Sequence, residues 1–208
     1  MLNLISENCR VLKKLAFSGR RITEVGMESF IEKKSKQMKS LKLKGTYKIP
    51  ESSFELLSKN SQNLSEVWLN SLDRRALPIL KNKILVGNLT KLKLVNSNLL
   101  VQDDVLEMLS HARKLVHLDL KSTSSWSNLS FQKLSSLKNL TYLILQKCSH
   151  ISDSAIIPVL ESNRNLRRLN IMNCIFLTFF LIIFIYFFRF FNIISIILSK
   201  TINRSQSY

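Results

Sequence analysis

The chain has 208 residues, of which 46% are hydrophobic, and it carries 31 Lys+Arg against 14 Asp+Glu for a formal net charge of +17. With only three cysteines and four glycines, it is neither a disulfide scaffold nor a collagen-like or disordered chain. The charge leaves acidic proteins, nucleic acids and anionic membranes as classes of partner, and the few cysteines favour a reducing compartment, the cytoplasm or the nucleus.

The pattern L-x-x-L-x-L recurs seven times, beginning at residues 12, 38, 64, 89, 115, 140 and 166, so that successive copies lie 25 or 26 residues apart. Apolar residues at positions four and six with a variable fifth residue predict a short strand with one buried face. Apolar residues three or four apart follow, such as Phe54 and Leu57, and predict a helix. One such unit cannot bury its own apolar surface, so the repeat predicts stacked units in a solenoid.

We therefore predict an α/β leucine-rich-repeat solenoid over residues 1–174, a horseshoe with parallel strands on its concave face and helices on its convex face. The first ten residues have the pattern of a helix that ends a preceding repeat, with Leu2, Leu4, Ile5 and Cys9 in phase. No signal peptide is visible in this pattern. A solenoid needs a polar cap at each end, and we expect that the first repeat of this sequence has none before it.

The last two units carry a cysteine at the ninth position. The sixth runs L-T-Y-L-I-L-Q-K-C-S-H-I-S-D from Leu140 and places Cys148 there, and the seventh, L-R-R-L-N-I-M-N-C, places Cys174 there. In these features, and in the turn Ile151-Ser152-Asp153, the chain resembles the cysteine-containing leucine-rich repeats of F-box/LRR proteins. Cys9 is similar to the second cysteine of that repeat type, at the end of the helix.

This resemblance covers about residues 1–178 and implies a ribonuclease-inhibitor-like fold. It also implies a substrate-recognition part of an SCF-type (Skp-cullin-F-box) E3 ubiquitin ligase, which marks proteins for proteasomal degradation. The sequence has no counterpart of the N-terminal F-box, so we expect the chain to be a fragment, an incomplete gene product or a paralogue without that module. The ubiquitin ligase core is a partner only if the complete protein carries an F-box.

Positions two, three, five, seven and eight of each motif are expected to lie on or beside the concave face. They carry 11 basic residues and only two acids, Glu66 and Asp119. We predict that this face binds a protein substrate that is acidic or phosphorylated, with exposed aromatic residues as anchors. The predicted partner-binding residues are Lys42, Lys44, Trp68, Lys91, Lys93, His117, Lys121, Tyr142, Lys147, Arg167 and Arg168. The alternatives are that the lysines only keep the chain soluble and that Trp68 packs over its neighbours.

No pattern of catalytic or metal-binding residues stands out. The chain has no C-x-x-C, no histidine spacing suited to zinc and no Ser/His/Asp arrangement, so we predict neither an enzyme nor a cofactor. We expect Cys148 and Cys174 to be buried thiols. Asn63, Asn88 and Asn139 head glycosylation-like tripeptides, but their common phase in the repeat indicates a structural role in the turn before each strand.

Residues 175–198 form an apolar segment with a single charge, Arg189, and predict a C-terminal hydrophobic helix before a polar tail at 199–208. Three interpretations stay open: translated AT-rich non-coding DNA, a buried cap, or a single-pass transmembrane anchor. The anchor would make the protein a tail-anchored adaptor at a membrane. Nucleic acid ranks below protein and membrane as a partner class, because the sequence shows no basic groove interleaved with aromatic residues, as single strands require.

Overall fold

The computed structural model describes residues 2–18, 22–45, 49–71, 73–97, 102–122, 126–178 and 181, and the backbone of a strand at 195–197. Its strands form one parallel sheet in which each strand pairs with the next one in the chain. The strands are β1 (Lys14–Ser18), β2 (Ser40–Lys44), β3 (Glu66–Asn70), β4 (Lys91–Val95), β5 (His117–Asp119), β6 (Tyr142–Ile144), β7 (Arg168–Asn170) and β8 (Ser195–Ile197).

Helices connect the successive strands from β1 to β7 and pack against the helices before and after them. They are α1 (Leu2–Asn8), α2 (Glu24–Lys34), α3 (Glu51–Asn60), α4 (Leu77–Lys81), α5 (Lys83–Asn88), α6 (Asp103–Leu109), α7 (Asn128–Gln132) and α8 (Asp153–Ser162), with short 3-10 turns at Ser35–Gln37, Arg74–Ala76 and Lys133–Ser136. Because helices are about 10 Å wide and paired strands lie about 4.8 Å apart, the stack curves with the strands on its concave side. The predicted leucine-rich-repeat solenoid is confirmed.

The repeat spacing sets the register of the sheet. Leu41 pairs with Val67, which pairs with Leu92, so that the fourth motif positions lie side by side. All seven fourth-position residues are buried: Leu15, Leu41, Val67, Leu92, Leu118, Leu143 and Leu169. Together with the sixth positions and the apolar sides of the helices they form one continuous core.

A left-handed residue ends each of the described strand segments from the second unit to the seventh. These residues occupy position eight and have φ angles between 50° and 62°: Gly45, Ser71, Asn96, Ser122, Lys147 and Asn173. The left-handed conformation costs a non-glycine residue about 1 kcal/mol. In compensation the backbone N–H of the first five of these residues donates to a carbonyl of the next unit, as from Ser71 to Val95 at 2.9 Å.

Asparagine side chains tie the turn before a strand to the preceding unit. The Nδ2 of Asn63 donates to the carbonyl of Lys36 at 2.7 Å, and that of Asn139 donates to Arg113 at 2.8 Å. Asn88 makes the equivalent bond to Gln62 at 3.0 Å. The structural interpretation of these asparagines is confirmed.

Replacing Asn139 with alanine is expected to lower the free energy of unfolding by about 1 kcal/mol, because one hydrogen bond between units is lost. Urea denaturation followed by circular dichroism measures the change. Arg164→Ala, at an exposed side chain in the turn of the next unit, is the control and should leave the midpoint in place. Equal midpoints for the two variants would contradict a stabilising role for Asn139.

The two cysteines at position nine also connect units. The Sγ of Cys148 donates to the carbonyl of Leu120 at 2.9 Å, and the Sγ of Cys174 donates to that of Leu145 at 2.8 Å. Both thiols are buried, and burial raises the pKa of Cys174 to about 11, which keeps it protonated and able to donate. The prediction of buried thiols that satisfy the turn is confirmed.

The first helix departs from its predicted pattern. Leu2 is buried and Ile5 is partly buried, but Leu4 is 64% exposed and Cys9 is exposed beyond the end of α1. The prediction that Leu4 and Cys9 share a buried phase with Leu2 is therefore wrong. The main packing partner of α1 is α2.

Most of the predicted hydrophobic helix at 175–198 lies outside the described residues, as does the tail at 199–208. The segment is not a helix at its two described ends, whereas Leu181, the one residue described between them, is helical and buried. Ile175 and Phe176 lie in an exposed turn, and Ser195–Ile197 forms β8 against β7, with Ile196 opposite Leu169. The edge of β7 offers unpaired backbone groups that an extended segment can satisfy. No helix within the described part of the chain is long and apolar enough to cross a bilayer.

Candidate protein-binding face

Side chains at positions three and five of strands β1–β7 point away from the core, and we call this surface the open face. Seven of the predicted site residues lie on it: Lys42, Trp68, Lys91, Lys93, His117, Tyr142 and Arg168. The other four lie at the ends of strands: Lys44 closes β2, Lys121 and Lys147 follow β5 and β6, and Arg167 precedes β7. The repeat thus brings residues from six units into one surface.

Trp68 is the centre of the open face. It is half-buried and stands in register between Lys42 on β2 and Lys93 on β4. The two ammonium groups lie 5.2 and 5.6 Å from the centroid of its ring, within the range of cation–π attraction. Trp68 therefore packs over its neighbours, as the alternative interpretation proposed, and lies on the predicted face as well.

The two acidic residues of the face leave its positive charge largely uncompensated. Glu66 accepts a hydrogen bond from Lys91 Nζ at 2.9 Å, and this bond holds the pKa of Glu66 below its usual value. Asp119 is buried, which raises its pKa, and it accepts from the backbone N–H of Lys121 at 3.1 Å. Within the described residues, neither Lys42 nor Lys93 forms an ion pair.

A second aromatic group lies on the next strands. The rings of His117 and Tyr142 are stacked with centroids 5.3 Å apart, and the guanidinium of Arg168 lies 5.8 Å from the centroid of the Tyr142 ring. Burial lowers the pKa of His117 to about 4, and the charges of Lys93, Lys91 and Arg168 contribute to the shift. The imidazole is therefore neutral at pH 7 and adds no charge to the face.

The lowered pKa of His117 predicts a loss of stability in acid. The unfolded chain binds a proton at this histidine near pH 6.5 and the folded chain near pH 4, so the stability contribution is complete above pH 6.5 and falls as the pH drops towards 4. His117→Phe keeps a ring beside Tyr142 and should lose less stability than the wild type between pH 7 and 4.5. Urea midpoints at the two pH values measure this, and an identical loss in both proteins would contradict the assignment.

Two cavities flank Trp68 and share Lys42. One, of about 300 Å³, is lined by Ser40, Leu41, Lys42, Glu66, Val67, Trp68, Lys91, Lys93 and His117; we call it the basic cavity. The other, of about 270 Å³, is lined by Ala16, Phe17, Ser18, Lys42, Leu43, Lys44, Trp68 and Asn70; we call it the apolar cavity.

The sequence analysis missed the contribution of the first unit to this site. Ala16 and Phe17 line the apolar cavity, although the repeat pattern places Phe17, at position six, on the buried side of its strand and gives Ala16 no role. The repeat register could have indicated this cavity. It places Ala16 beside Lys42, and Lys42 beside Trp68. A small side chain next to two large ones leaves a gap.

No protein-family model matches the chain, and no curated protein matches it. Solved structures are similar in fold. A chain of the yeast Rad7–Elc1 complex has a TM-score of 0.58 at 17% identity, with 88% of this chain and 55% of that chain covered. An internalin, InlF, from Listeria monocytogenes has a TM-score of 0.55 at 19% identity, with coverages of 81% and 50%.

A leucine-rich-repeat protein of Leptospira interrogans has a TM-score of 0.51 at 17% identity, with coverages of 83% and 40%. The chain thus spans about half the length of these three structures. At these identities the similarity concerns the fold alone. The register of the parallel sheet and the similarity to these solved structures agree that the chain has a leucine-rich-repeat fold.

Proposed function

We propose that the protein is an interaction module whose open face binds an acidic protein partner. The single observation that carries the proposal is the cluster of Lys42, Lys93 and Trp68 at the centre of the sheet, where two cations border a half-buried aromatic ring. A positive field draws an acidic partner to the surface, and a half-buried aromatic ring is a suitable anchor. Binding rather than catalysis is the role we assign to the chain.

Protein is favoured over nucleic acid by the state of the aromatic rings. Single strands bind by stacking their bases on exposed aromatic faces. Here Lys42 and Lys93 lie over the ring of Trp68, and His117 and Arg168 contact the ring of Tyr142. A base would have to displace these contacts, whereas a carboxylate or phosphate group can join the cations directly.

The finer proposal is that the partner is the substrate of an SCF-type ubiquitin ligase. The buried thiols of Cys148 and Cys174, each bonded to the preceding unit, support the resemblance to F-box/LRR repeats on which this proposal rests. A fold of this kind occurs in the yeast Rad7–Elc1 complex. Recruitment of the ligase core depends on an F-box in the complete protein.

Affinity purification of the full-length product from its own cells, followed by quantitative mass spectrometry, tests both levels of the proposal. We expect protein partners that are lost when the open face is altered, and among the co-purified proteins we expect cullin-complex subunits. If protein partners are recovered without cullin-complex subunits, the proposed interaction module stands and the proposed ligase role is rejected. Loss of all co-purified proteins on nuclease treatment would contradict the module itself.

A further inference from the structure

We propose that the two cavities beside Trp68 form one binding site for an extended peptide segment that carries a phosphorylated serine or threonine and, close to it, an apolar side chain. The phosphoryl group occupies the basic cavity and the apolar side chain occupies the apolar cavity. This inference rests on the proposed function, because it names the chemistry of the partner on the same face.

The charge of the basic cavity matches a dianion. Lys42, Lys91 and Lys93 contribute three positive charges, Glu66 contributes one negative charge, and the neutral His117 contributes none. The sum of +2 is balanced by a phosphoryl group, which carries about −1.5 to −2 at pH 7. A single carboxylate would leave about one positive charge of the cavity unpaired.

The basic cavity also holds unmet hydrogen-bonding capacity. Trp68 and His117 both line it, and the Nε1 of Trp68 and the Nε2 of His117 are buried with no hydrogen-bond partner in the described part of the chain. An unpaired buried polar group costs about 1–3 kcal/mol. The indole N–H is a donor only, so an oxygen acceptor of a ligand would recover that cost if it reached the nitrogen.

The positions of the cavities fit an extended peptide. The basic cavity lies at motif positions three to five of strands β2–β5, and the apolar cavity lies at positions five to seven of β1–β3. The offset is about two residues along the strands and one to two strands across them, or about 10 Å, which is the length of about three residues of extended chain. Ala16, Phe17 and Leu43 supply apolar surface for the second side chain.

The test uses the full chain, immobilised, and three degenerate peptide libraries with a central serine, phosphoserine or glutamate. We expect the phosphoserine library to be retained about tenfold better than the other two, since charge-assisted bonds are stronger to a dianion. We expect the retained peptides to be enriched in an apolar residue about three positions from the phosphoserine. Titration of an enriched peptide should also change the fluorescence of Trp68, which a Trp68→Phe variant identifies against the signal of the buried Trp126.

The double variant Lys42→Gln/Lys93→Gln should lose the preference for phosphoserine, whereas Lys83→Gln on α5 should keep it, and circular dichroism verifies that both variants are folded. Equal retention of the three libraries, survival of the preference in the double variant, or stronger retention of a degenerate oligonucleotide of similar length would overturn the inference. If the libraries are equal but cellular partners are still lost on altering the open face, only this inference fails. If those partners are unaffected, the proposed function fails.

Discussion

Leu92→Ala is expected to lower the free energy of unfolding by about 2–5 kcal/mol, the cost of removing a fully buried leucine from a tightly packed core. Leu92 is 0% exposed and pairs in register with Val67 on one side and Leu118 on the other. Its loss therefore leaves a void between three units. Urea denaturation monitored by circular dichroism measures the effect.

The matched control is Leu129→Ala, which removes the same atoms from a side chain that is 71% exposed on α7. It should change the free energy of unfolding by less than about 0.5 kcal/mol. Similar losses in the two variants would contradict the shared core, because burial in the repeat would then make no difference.

Reversing three charges at the centre of the open face is expected to reduce partner capture by at least about a hundredfold. The variant Lys42→Glu/Lys91→Glu/Lys93→Glu places three carboxylates beside Glu66 and opposes an acidic partner, and like-charge juxtaposition costs several kcal/mol. Quantitative mass spectrometry of the captured proteins, normalised to the bait, measures the loss.

The control variant carries the same change in net charge away from the open face. Lys36, Lys83 and Arg164 are exposed in the segments that connect the strands, and their replacement by glutamate should leave capture within about twofold of the wild type if the site and not the net charge decides binding. Equal losses in the two triple variants would show a non-specific charge effect, and capture unchanged in both would remove the open face as the binding surface.

Much of the fold could be predicted because its information is local and repeated. The spacing of 25 or 26 residues sets the pairing of Leu41, Val67 and Leu92, and the alternation within each motif decides which side chains lie on the open face. The binding cavities could not be predicted in the same way. They depend on the positions of the Lys42 and Lys93 side chains around Trp68 and on the small size of Ala16. These residues belong to different units and lie about 25 positions apart in the sequence.

Near both ends of the chain the local sequence pattern and the structure differ. The apolar run near Ile196 has no alternation that favours a strand, yet the segment pairs with the edge of β7. At the other end the periodicity of Leu4 and Cys9 predicts burial, but both are exposed, and α1 packs mainly against α2. In both places the neighbouring element, and not the local pattern, decides the structure.

The most direct test of the account is lysine labelling of the protein alone and bound to its purified partner, with reductive methylation read by mass spectrometry. The account predicts that the partner protects Lys42, Lys91 and Lys93 on the open face, while Lys36 and Lys83 react to the same extent in both states. Protection of Lys36 and Lys83, with the three lysines of the open face still fully reactive, would contradict it.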